Sequence, residues 1–108
     1  MKIVKRNFRL LHEKLIEEAI DNVIMLEANI NYTVFLMSSG KKRIMSYTLG
    51  MYGLLLSDKF LRVNRSCIIN QNFISNFDSE NKLMVLKNGT NIKVSRRRLD
   101  EVKTKLVV

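Results

Sequence analysis

The segment Phe60-Leu61-Arg62-Val63-Asn64-Arg65-Ser66-Cys67-Ile68-Ile69-Asn70 decides how the rest of the chain is read. In an extended backbone successive side chains point to opposite faces, so Leu61 and Val63 face one way while Arg62 and Asn64 face the other. Two apolar anchors thus hold up two polar heads. Arg65 and Ser66 follow at once, and Ile68 and Ile69 return the chain to the core before Asn70 closes the segment. The pattern predicts a polar cluster presented on a buried footing. Arg, Asn and Ser can all donate hydrogen bonds to phosphate oxygens, and Arg and Asn can also pair bidentately with base edges. An edge strand with merely solvated polar positions would carry the same residues.

Downstream, Phe73, Ile74 and Phe77 are apolar anchors ahead of a hairpin over residues 82–94. Its signal is Asn88-Gly89 between two apolar runs, which suits a type I′ turn with positive φ at both central residues. That turn sets Lys87 opposite Thr90, Val85 opposite Ile92 and Leu83 opposite Val94, so these four β-formers should share the inner face. Met84, Leu86, Asn91 and Lys93 then fall on the other face, which is apolar enough to be partly covered. Ser95 is placed to cap a terminal helix whose apolar stripe is Leu99, Val102 and Leu106. The first turn of that helix holds Arg96, Arg97 and Arg98, although a helix N-terminus favours acids by roughly 0.3 to 1 kcal/mol per exposed charge. A local rule broken without visible compensation marks a candidate functional site. Free backbone N–H groups and guanidinium forks would converge there on a docked anion, whereas a solvated arginine run would need no partner.

Upstream, Thr48 can cap a short helix with Leu49, Tyr52, Leu55 and Leu56 on one side, weakened by Gly50 and Gly53. Residues 32–47 read as a hairpin turning at Ser38-Ser39-Gly40, with Lys41, Lys42 and Arg43 at a basic tip. Val23 to Ala28 is a compact apolar run suited to a buried strand. A helix is expected over Glu13 to Asn22 from the spacing of Leu15, Ile16, Ala19 and Ile20, and a first strand over residues 2–11.

The chain has 108 residues, enough to bury one core without staples. Its formal charge of +9 is unevenly placed. Residues 1–30 carry five basic and five acidic groups, and residues 31–108 carry fourteen basic against five acidic. With a pI near 10.0 this asymmetry points to a polyanion, nucleic acid first and an anionic membrane surface second. One histidine, His12, and one cysteine, Cys67, give no metal-ligand spacing, and the lone thiol suits a reducing cytoplasm. Nowhere do roughly 18 consecutive apolar residues occur, so a soluble protein is expected. The four glycines form no phosphate loop and the acids do not cluster, so no cofactor, metal or enzymatic activity is expected.

The pieces Leu26-Glu27-Ala28, Asn31-Tyr32-Thr33, Phe60 to Asn70, Asn88-Gly89 and Ile92-Lys93-Val94-Ser95-Arg96 together resemble the LytTR domain. This is a DNA-binding module found at the end of many bacterial response regulators, and the match runs across roughly residues 20–106. The resemblance implies a mainly β fold of short antiparallel β-sheets with a few short α-helices, forming one domain over residues 1–108. It implies sequence-specific binding of double-stranded DNA at repeated sites, by a weak homodimer or two independent monomers, with loops rather than a recognition helix entering the major groove. Carried over residue by residue, contacts fall on Asn31 or Tyr32, on Asn64, Arg65 and Ser66, and on Ser95, Arg96 and Arg97. Arg97 and one of Asn31 or Tyr32 are expected at base edges, with Arg62, Arg65, Ser66, Ser95 and Arg96 fixing phosphates. Family members often have histidine where Asn64 stands and tyrosine where Cys67 stands. The alternative is a basic module that retains the fold but engages RNA or an acidic protein. No acidic phosphoacceptor cluster accompanies the domain, so the chain is a free-standing regulator or an excised domain, and Met1 inclines the reading to the former.

Overall fold

A computed structural model describes Glu17 and residues 20–106. The expected first strand, and all of the expected first helix but Glu17 and Ile20–Asn22, lie outside the described residues; Ile20–Asn22 forms a 3-10 turn. Eight strands follow: β1 (Val23–Asn29), β2 (Tyr32–Met37), β3 (Lys42–Met45), β4 (Phe60–Asn64), β5 (Cys67–Asn70), β6 (Ile74–Asp78), β7 (Leu83–Leu86) and β8 (Asn91–Lys93). Two α-helices join them, α1 (Leu49–Leu55) between β3 and β4, and α2 (Arg96–Leu106) after β8. The strands form an antiparallel five-stranded sheet in the order β3-β2-β1-β5-β4 and a three-stranded sheet in the order β6-β7-β8.

The five-stranded sheet is the middle layer. On one face Val23, Leu26, Phe35, Phe60 and Ile68 pack on Leu49 and Tyr52 of α1. On the other, Leu61, Val63 and Ile69 pack against Met84, Leu86 and Ile92 of the smaller sheet, Val94 just beyond β8 and Val102 of α2. A central strand covered on both sides reads as a continuous apolar run, which accounts for Val23 to Leu26. A bulge between Val23 and Met25 turns both Ile24 and Met25 toward the smaller sheet. In the same way Ile68 and Ile69 are both buried, one on each face.

The expected alternation of the central segment is present: Leu61 and Val63 are buried and Arg62 and Asn64 half-buried. Thr48 caps α1 by accepting from the Met51 N–H, and Leu49 and Tyr52 face the core. Leu55, however, lies on the solvent side, and Leu54 is almost fully exposed. Asn70 is completely buried, donating to the Val23 carbonyl at 2.9 Å and accepting from the Asn72 N–H at 3.0 Å.

The β7–β8 hairpin differs from expectation by one residue. Met84 pairs with Ile92 and Leu83 with Lys93, and the Leu86 N–H donates to the Thr90 carbonyl at 2.9 Å. The loop is therefore three residues, Lys87-Asn88-Gly89, with positive φ only at Gly89 (88°). A one-residue slip exchanges the faces of a strand. Met84 and Leu86 are consequently buried beside Ile92 and Val94, while Leu83 and Val85 are half-buried. The β2–β3 hairpin uses the same device. Its loop is Ser38-Ser39-Gly40, Gly40 has φ 89°, and Ser39 Oγ accepts from the Lys41 N–H where Asn88 Oδ1 accepts from the Thr90 N–H. A type I turn closed by a left-handed glycine is the common three-residue hairpin loop.

Candidate nucleic-acid interface

Three loops meet at one end of the five-stranded sheet. The first is the tip of the β1–β2 hairpin, Ile30 and Asn31, closed by the pairing of Asn29 with Tyr32. The second is the β4–β5 turn, Arg65 and Ser66, closed by the pairing of Asn64 with Cys67. The third is the start of α2, where the Ser95 carbonyl accepts from the Arg98 N–H at 3.1 Å. Backbone hydrogen bonds join them: Ala28 N–H donates to the Ser66 carbonyl at 2.8 Å, and Ser95 N–H to the Val63 carbonyl at 3.0 Å.

Asn64 brackets two of these loops. Its Oδ1 accepts from the Ser66 N–H at 2.8 Å, shaping the turn, and its Nδ2 donates to the Lys93 carbonyl at 2.7 Å, fixing the approach to α2. Arg62 also turns inward on the β4–β5 turn, with Nε donating to the Asn64 carbonyl at 3.3 Å and Nη2 to the Arg65 carbonyl at 2.8 Å. The sequence reading assigns both residues to DNA contacts, and in the structure much of their hydrogen-bonding capacity is committed to the frame. Sequence could not show this, because the Lys93 carbonyl lies 29 positions from Asn64.

Between the β4–β5 turn and α2 lies an open groove of about 590 Å³ lined by Arg62, Asn64, Arg65, Lys93, Val94, Ser95, Arg97 and Arg98. Five cationic side chains and no acid line it. Burial, with the Arg98 guanidinium nearby, lowers the pKa of Arg62, so this wall carries crowded positive charge. Arg98 leans toward Glu101 at 3.9 Å. Arg65, Arg96 and Arg97 are exposed and make no ion pair among the described residues, which leaves their guanidinium forks free. Asn31 and Ser66 are also exposed, whereas Tyr32 and Ser95 are half-buried. Arg96 does not line the groove.

Lys93 and Arg98 were not assigned to the site from sequence. Arg98 belongs to the arginine run already noted. Lys93 was obscured by the misplaced register, which put it on a partly covered face with Met84 and Leu86; the actual pairing leaves it exposed. Cys67, by contrast, is buried, and burial beside the Glu27 carboxylate pushes its thiol up to about 11, against a partly opposing bond from Asn64. A thiol held protonated is no nucleophile at neutral pH. Among the described residues no group of three or more His, Cys, Asp or Glu side chains is placed to hold a metal ion, and no helix is long and apolar enough to cross a membrane.

A β scaffold that gathers three loops beside an acid-free basic groove is suited to a polyanion. Residues 13–107 match the model of the LytTr DNA-binding domain family. The chain belongs to that family, whose members are DNA-binding domains acting in transcription regulation. Among solved structures it is similar to the LytTr DNA-binding domain of a Bacillus cereus protein described as a methyl-accepting/DNA response regulator. The two are 26% identical with a TM-score of 0.73, covering 82% of this chain and 84% of that one. No curated protein matches the chain.

Proposed function

We propose that this domain binds double-stranded DNA sequence-specifically, reading it with loops and the first turn of α2 rather than with a helix laid along the major groove. The supporting observation is the groove between the β4–β5 turn and α2, with five cations, no acid and the free forks of Arg65 and Arg97 on its walls. Farther along, α2 is held in the core by Val102 and packed there by Leu99 and Leu106, so its arginine-bearing first turn is the part left to meet a ligand. Arg97 and Asn31 contact base edges, with Tyr32 the less exposed alternative to Asn31. Arg65, Ser66, Ser95 and Arg96 hold phosphates, and Arg62 and Asn64 act chiefly by holding the β4–β5 turn in shape. Two copies, as a weak dimer or independent monomers, occupy repeated sites.

Selection from random duplex DNA at physiological salt tests the reading. A repeated motif is expected, and Arg97→Ala should lose about 1 to 3 kcal/mol of affinity for it while relaxing one base position. Recovery of unenriched sequence by folded protein would overturn the proposal and direct attention to RNA or an acidic protein as the partner.

A further inference from the structure

Ile30 breaks two rules at once. It is the first of the two residues at the β1–β2 tip and has φ of 54°, a conformation in which a β-branched side chain is a genuine outlier. It is also 90% exposed, more than Leu54 at 83% or Ile44 at 69%. Asparagine tolerates positive φ and is favoured in such loops, and asparagines stand on both sides of Ile30. Neither occupies the left-handed position. Strain and exposed apolar surface concentrated in one residue point to a contact made with something outside the chain.

The position of the tip narrows what that contact is. Two residues before Ile30, the Ala28 N–H donates to the Ser66 carbonyl at 2.8 Å, tying this hairpin to the turn that carries Arg65. A duplex seated on the Arg65 and Arg97 groove therefore passes the β1–β2 tip. The apolar feature that DNA offers a side chain in its major groove is the C5-methyl of thymine. Isoleucine is branched and stiff at χ1, so it presents its carbons with little rotamer freedom left to lose.

We infer that Ile30 is a specificity-determining residue whose side chain packs on the C5-methyl group of one thymine in the bound site. The inference rests on the DNA-binding reading above. Its test takes the selected site and replaces each thymine in turn by deoxyuridine, which removes the methyl and leaves the hydrogen-bonding groups unchanged. Wild-type protein should lose about fourfold in affinity at one position, as for one methyl removed from an apolar contact. Ile30→Asn should show no loss there, should accept other bases at that position, and should melt a few degrees higher because the left-handed backbone is relieved. A deoxyuridine scan that is flat for the wild type, or identical for the two proteins, would overturn the inference while leaving the DNA-binding reading intact. A flat scan with DNA sharply bent by wild type and not by Ile30→Asn would also overturn it, showing a wedge between base steps instead. Failure of the selection to yield any site would overturn both.

Discussion

Arg62 and Arg97 line the same groove and differ in what their guanidinium groups already hold. Arg62 grips two carbonyls of the β4–β5 turn, and Arg97 makes no ion pair among the described residues. Lysine retains the charge of arginine and loses its planar fork. Arg62→Lys should therefore weaken binding nearly as much as Arg62→Ala, by about 1 to 2 kcal/mol on specific and scrambled DNA alike. Titration by fluorescence anisotropy at fixed salt checks this. Recovery of affinity in the lysine variant would instead give Arg62 the phosphate-contacting role that its sequence position suggested.

At the scale of elements, the central segment was legible because Leu61 and Val63 alternate with polar residues, and only one assignment of faces buries them. The β7–β8 register was not legible. All four residues of β7, Leu83 to Leu86, are apolar, so either register buries a hydrophobic pair and the turn alone decides. Asn88-Gly89 fits a two-residue loop and a three-residue loop equally well as a dipeptide. The observed loop separates the two residues energetically. Gly89→Ala should cost about 1 to 2 kcal/mol because only Gly89 is left-handed. Asn88→Ala should cost about 0.5 kcal/mol, the exposed bond to the Thr90 N–H. Urea denaturation of the two variants measures the difference; equal losses would indicate a type I′ turn. The candidate site was legible in the same uneven way. The arginine run announced itself by breaking the helix-dipole rule, while the bracket from Asn64 to Lys93 depends on a chain crossing that no local pattern encodes.

At the scale of the whole molecule, one sheet separates two cores, and each holds a titratable group whose proton is retained by burial. Cys67, on the side of the smaller sheet, moves from 9.0 to about 11, and Tyr52, on the α1 side, from 10.0 to about 12. The unfolded chain releases these protons at lower pH than the folded chain does, so unfolding consumes base. Stability is accordingly full below pH 9 and falls as pH rises through 9 to 11 for Cys67 and 10 to 12 for Tyr52. Denaturation midpoints measured from pH 8 upward should decline in that window, and Cys67→Ala should remove the earlier part of the decline. Constant midpoints to pH 11 would contradict the burial of both groups. The brackets at the three-loop end have a different consequence. The three loops are joined through backbone atoms and the Asn64 amide, not through the exposed side chains of Arg65 and Arg97. Those outward side chains can be exchanged with little effect on folding, so the chemistry displayed at this end can change one side chain at a time while the spacing between the three loops stays constant.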